Sequence, residues 1–124
     1  MKITPIEADV KRAVLDWLNT LPETRCWRRN VGAFRGEYKG KKRFVRFGQT
    51  GMVDVEGVCF GYHVEIEIKR PGRVVTPEQL KWLDDMLGLG AIAFWCDSLD
   101  DAAEEMSALW KQKQLPWKDS YTPT

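Results

Sequence analysis

Cysteine and histidine are scarce, at three and one in 124 residues. Cys26, Cys59 and Cys96 stand far apart, odd in number and without a Cys-x-x-Cys pair, so neither a disulfide framework nor a zinc site is indicated. They read as small buried hydrophobes of an intracellular protein. His63 has no second histidine or cysteine at ligand spacing; it is expected to be structural and to point away from Glu67. A Gly-x-Gly-x-x-Gly turn, a Walker loop, a Ser/His/Asp set and a reactive-cysteine environment are all missing, which leaves nucleotide-driven and acyl-transfer chemistry without support. No apolar run approaches membrane-spanning length, and the opening MKITPIEADV has no signal-peptide core. A cytoplasmic location with no membrane partner is expected.

Acidic residues are nearly absent from one stretch. Between Arg25 and Arg46 lie nine of the nineteen basic residues against Glu37 alone, while Asp84, Asp85, Asp97, Asp100, Asp101, Glu104 and Glu105 compensate later. The net charge of +1 hides this dipolar layout. It suits a basic face for a polyanion with an acidic far side, although a solvated hairpin would look the same. Hydrophobic residues at 44% and charged residues at 30% belong to a folded chain, and the length fits one domain over residues 1–124. Its core is expected over about residues 5–111, with an irregular tail over 112–124.

The patterning predicts an α/β fold. Thr4, Pro5 and Glu7 read as N-cap, first-turn proline and capping-box glutamate of a helix from about Pro5 to Leu21, with Val10, Val14, Trp17 and Leu18 on its apolar stripe. Residues 25–35 predict a strand running into a loop, with a polar tip around 37–42 and further strands near 44–47, 52–60 and 62–69. A tight turn is expected at Gly61. Thr76, Pro77 and Gln79 announce a second capped helix, residues 91–96 a buried strand, and Asp97 and Ser98 a third helix from about Leu99 to Lys111. The expected order is α-β-β-β-α-β-α, a mixed sheet flanked by helices.

The stretch EIEIKRPG, residues 65–72, carries the chemistry. On a strand Glu65, Glu67 and Lys69 share one face and Ile66 and Ile68 the other. Glu65 is expected to be an exposed partner of nearby arginines. An antiparallel hairpin through Gly61 would bring Asp54 beside Glu67, and two carboxylates with a main-chain carbonyl make the hard oxygen set that Mg²⁺ takes. A lysine beside them can handle a proton or steady charge on a phosphate.

Gly51-Met52-Val53-Asp54, a hairpin, then Glu67-Ile68-Lys69 resembles the metal-binding signature of the PD-(D/E)xK nuclease superfamily, whose fold is that of a restriction-endonuclease-like core. With Lys69-Arg70-Pro71-Gly72-Arg73, Thr76-Pro77-Glu78-Gln79 and Arg29-Asn30-Val31-Gly32-Ala33, residues 5–105 resemble the VRR-NUC (virus-type replication-repair nuclease) family, which includes small phage and bacterial proteins. Val53 departs from the proline common before the aspartate. The resemblance implies Asp54, Glu67 and the Ile68 carbonyl as ligands of Mg²⁺ or Mn²⁺, Lys69 as the catalytic lysine, and Gln79 and Glu7 as further site residues. Glu7 and Gln79 can equally be helix caps. It further implies a structure-selective DNA endonuclease, similar to a Holliday-junction resolvase and acting as a homodimer, or else a flap or nicking nuclease. A non-catalytic DNA-binding module is the rival. Arg28, Arg29, Asn30, Arg35, Lys41, Lys42, Arg43, Arg46 and Arg70 are the candidate contacts to DNA.

Overall fold

The computed structural model describes residues 6–29 and 51–123, together with the backbone of two strands over 32–38 and 41–47. Helix α1 (Glu7–Leu18) is followed by β1 (Thr24–Arg28), β2 (Gly32–Tyr38), β3 (Lys41–Phe47), β4 (Val55–Cys59) and β5 (Tyr62–Ile68). Helix α2 (Pro77–Gly88), β6 (Ile92–Cys96) and α3 (Leu99–Gln112) complete the core. The protein is α/β, with a four-stranded mixed sheet of order β1-β4-β5-β6 and helices packed against it. Antiparallel pairing joins β1 to β4 and β4 to β5, and β6 runs parallel to β5, so α2 serves as the crossover such a pair requires.

Among the described residues five strands precede α2, where the segment readings placed four and the expected order counted three. Residues 25–35 include the end of β1 and the start of β2, and of the expected polar tip at 37–42 residues 37–38 and 41–42 are strand, while 39–40 lie outside the described residues. The β2–β3 ladder carries on to the tip, where its register sets Glu37 opposite Lys42 and Tyr38 opposite Lys41. Those two strands form a separate antiparallel pair.

Helix α1 also starts later than expected. Its N-cap is Ile6 and no side chain caps it, so Glu7 is the first helical residue instead of the third after a threonine cap; Thr4 and Pro5 lie outside the described residues. The helix stops at Leu18, where Asn19 bonds the backbone of Cys26 with both ends of its amide, at 2.8 and 3.0 Å. That clamp ties the helix to β1. By contrast α2 begins as its sequence dictates. Thr76 accepts from the Gln79 N–H at 3.1 Å, and the Thr76 N–H donates to the Gln79 amide oxygen at 3.0 Å.

The alternation of β5 sorts its residues between two layers. Val64, Ile66 and Ile68 join Val14, Leu18, Ile92, Phe94, Met106 and Trp110 in the main core under α1 and α3. Each such side chain contributes roughly 1.5–3 kcal/mol on burial. The opposite face meets α2, with Val53, Leu83 and Ala93 as its small apolar cluster. The tail is docked by its aromatics. Trp117 stacks edge-on against Trp110 at 5.1 Å, and Tyr121 against Trp117 at 5.5 Å, while the Trp17 indole donates to the Tyr121 carbonyl at 2.8 Å. All three cysteines are free and buried, and burial pushes the Cys26 thiol up to about 12. Among the described residues no helix is long and apolar enough to cross a membrane.

Candidate active site

A two-residue turn at Phe60 and Gly61, both at positive φ, folds β5 back along β4 in the geometry of a type I′ hairpin. The register pairs Val55 with Ile66, so Asp54, one residue before β4, falls level with Glu67. The approach to Asp54 is equally constrained. Gly51 has φ +82°, and a Cβ there would lie 2.4 Å from the carbonyl oxygen of Glu78 on α2. Val53 is fully buried against Leu83, so the residue before Asp54 is anchored by packing.

Glu67 is almost fully buried, and its carboxyl is pushed up to about 8 by that burial and then by the neighbouring Asp54 carboxylate. Lys69 and Lys11 act in the opposite direction. The Gln79 amide donates to Glu67 Oε2 at 2.7 Å, and the Lys69 ammonium stands 3.8 Å from the same oxygen. Gln79 therefore caps α2 through its amide oxygen and contacts Glu67 through its amide nitrogen. Ile68 closes β5, and the next residue, Lys69, donates its N–H to the Cys96 carbonyl at 2.9 Å, fixing the strand end.

Asp54 carries a contact that no sequence motif announced. Lys11 of α1 forms an ion pair with its Oδ2, while Oδ1 is buried and has no hydrogen-bond partner. The only sequence signal was position, since Lys11 lies one helical turn after Glu7 on the flank of the apolar stripe. Glu7 itself is exposed. It lines an open depression of about 590 Å³ together with Lys69, Arg70, Arg73, Val74 and Thr76. Arg73, like Lys11, was missed by sequence reasoning, although it sits three residues beyond Arg70 in the same basic connection.

Glu65 and His63 differ from expectation. Glu65 is an arginine partner but wholly buried, because α2 covers the face on which it stands. Its Oε1 accepts from Arg29 Nη1 at 2.8 Å and from the Trp82 indole, and its Oε2 from Arg29 Nη2. His63 shares the parity of Glu65 and Glu67 and therefore points to their side of the sheet, with Nε2 2.6 Å from Glu65 Oε2. Arg29, expected to face DNA, has its guanidinium engaged inside. It also bonds Glu56 at 2.7 Å and the Val53 carbonyl at 3.0 Å, and its N–H donates to the Asp54 carbonyl at 2.6 Å. The arginine thus clamps the backbone that presents Asp54.

Arg28 and Arg70 are exposed, and Arg28 pairs with Val55 at the Asp54 end of β4. Arg35 belongs to β2 and Lys41, Lys42, Arg43 and Arg46 to β3, but their side chains, like all of Asn30, lie outside the described residues.

Among the described residues, two groups have a composition that suits a cation. Asp54, Glu67 and the Ile68 carbonyl would offer hard oxygens only, and the orphaned Asp54 Oδ1 is a buried acceptor with unspent capacity, which fits Mg²⁺ or Mn²⁺. Glu56, His63 and Glu65 place one ligand atom each within 4.8 Å of one another, but the Arg29 guanidinium already supplies the positive charge between the two glutamates. Among the described residues, only the first group holds a buried acceptor atom without a hydrogen-bond partner. No protein-family model matches the chain, and no curated protein matches it.

Proposed function

We propose that this chain is a Mg²⁺- or Mn²⁺-dependent DNA endonuclease of the PD-(D/E)xK type, related to the VRR-NUC family, that cuts branched DNA. The observation that carries the reading is the convergence of Asp54, Glu67, Lys69 and the Gln79 amide at one end of the β4–β5 hairpin, with Asp54 Oδ1 buried and unpartnered. A surface ion-pair network needs no orphaned buried acceptor, and a DNA-binding module gains nothing from carboxylates that repel phosphate.

Asp54, Glu67 and the carbonyl of Ile68 would hold the ion. When bound, it supplies positive charge to the scissile phosphate and makes water a better nucleophile at neutral pH. The chain's own groups do the rest. Gln79 keeps the Glu67 carboxylate aimed at the hairpin end, so that little reorganisation is needed at the moment of reaction. Lys69 follows directly on the end of β5 and brings its ammonium to the charge that develops on the phosphate. Arg70 and Arg73, beside Lys69 in the open depression, hold neighbouring backbone phosphates. Such contacts position DNA without reading bases, which favours selection by DNA structure over selection by sequence. A homodimer would present two such sites to two strands of a junction.

The test is a substrate panel. Four-way junction, flap and linear duplex are incubated with wild type and with Asp54→Asn, in Mg²⁺, in Mn²⁺ and in chelator. The expected result is metal-dependent cleavage of branched DNA by the wild type only. Symmetric nicks would mark a junction resolvase and single nicks a flap or nicking enzyme; tight binding without cleavage would assign the chain to the non-catalytic class.

A further inference from the structure

The two oxygens of Asp54 are treated differently: Oδ2 is held by the Lys11 ammonium of α1, and Oδ1 is buried without a partner. A carboxylate at a strand end turns freely about its last side-chain bond unless something fixes it. Lys11 is well placed to do so, because its side chain is mostly covered and its helix is fastened to the core by Val10 and Val14, on either side of it in sequence. A second constraint comes from the backbone, where Arg29 bonds the carbonyls of both Val53 and Asp54. Arg29 thus fixes where the residue is, and Lys11 fixes which way its carboxylate faces.

We infer that Lys11 is a positioning residue for the metal site, pinning Asp54 Oδ2 so that Oδ1 is presented to the divalent ion. The inference rests on the metal-site reading above and names a residue that reading does not require. Partners that orient a ligating carboxylate govern metal affinity without touching the metal, and their loss typically weakens binding about tenfold or more. Lys11 would therefore raise affinity even though its charge repels a cation. If it were only a local counter-ion of the metal-free protein, removing it would leave binding unchanged or tighten it.

Mn²⁺ binding followed by the electron paramagnetic resonance of the free ion separates these cases without DNA or turnover. The full chain is titrated as wild type, Lys11→Met, Lys11→Arg and Asp54→Asn, with melting in chelator to verify that each is folded. The expected result is binding by the wild type, about tenfold weaker binding by Lys11→Met, and recovery of most of that loss in Lys11→Arg. Equal or tighter binding by Lys11→Met beside a wild type that binds through Asp54 overturns the role of Lys11 and leaves the metal site standing. Absence of binding by the wild type, or binding indifferent to Asp54→Asn, overturns both.

Discussion

Gln79 uses the two ends of one amide for two purposes, and a pair of substitutions can separate them. Thr76→Ala removes the cap and should cost about 1 kcal/mol of stability while leaving Mn²⁺ affinity intact. Gln79→Ala should cost a similar amount and also weaken Mn²⁺ binding, because Glu67 loses the donor at 2.7 Å. Denaturant unfolding alongside metal titration of the two variants checks the contrast. Glu65 and Arg29 sit at the other extreme, as a buried pair with nearly every donor and acceptor spent. Arg29→Ala leaves the Glu65 carboxylate uncompensated in the interior and should destabilise by about 3–5 kcal/mol, far more than loss of a surface arginine would. An unchanged unfolding midpoint for Arg29→Ala would mean that this arginine is available for DNA after all.

The elements that matter most are the loop 51–54 and the α2 N-terminus against which it rests. Gly51→Ala combines a left-handed backbone with a Cβ 2.4 Å from the Glu78 carbonyl, so the loop must lift away and carry Asp54 with it. A loss of about 2 kcal/mol or more in stability, together with lost Mn²⁺ binding, is expected from unfolding and titration of that variant. Much of this architecture was legible in residue order. The Asp54-to-Glu67 spacing around Gly61 foretold the hairpin, and Thr76 with Gln79 foretold the α2 cap, because turns and caps are local. What lay beyond one element was not legible. EIEIK has the alternation of a half-exposed strand, yet α2 lies over its charged face and buries Glu65, a fact set by the β5–α2–β6 crossover. Lys11, on another helix 43 residues from Asp54, has no motif to mark it. The β2–β3 pair was misjudged because a basic, glycine-bearing stretch has the composition of a loop although its backbone is paired as far as Tyr38 and Lys41.

For the molecule as a whole, stability and metal binding should be linked through Glu67. Its carboxyl, ordinarily at 4.5, is raised to about 8 by burial and by Asp54, so the folded state binds this proton more tightly than the unfolded chain does. The group therefore favours folding fully below 4.5, and that contribution is lost as pH rises through about 8. Metal ligation requires the carboxylate, so the rise in melting temperature caused by Mg²⁺ should grow across the same interval. Melts in chelator and in Mg²⁺ across that pH range check both slopes. The basic stretch at 25–46 and the acidic residues of α2 and α3 give the chain a lopsided charge distribution, which should make DNA affinity fall steeply with added salt. The most direct measurement is single-turnover cleavage of branched DNA by wild type and Lys69→Ala in Mg²⁺ and in chelator. The expected result is cleavage by the wild type only with metal, and a rate about 100-fold lower or less for Lys69→Ala with its melting temperature unchanged. Cleavage that survives chelation, that proceeds equally in Lys69→Ala, or that never occurs would contradict the assignment of Asp54, Glu67 and Lys69 as a nuclease centre.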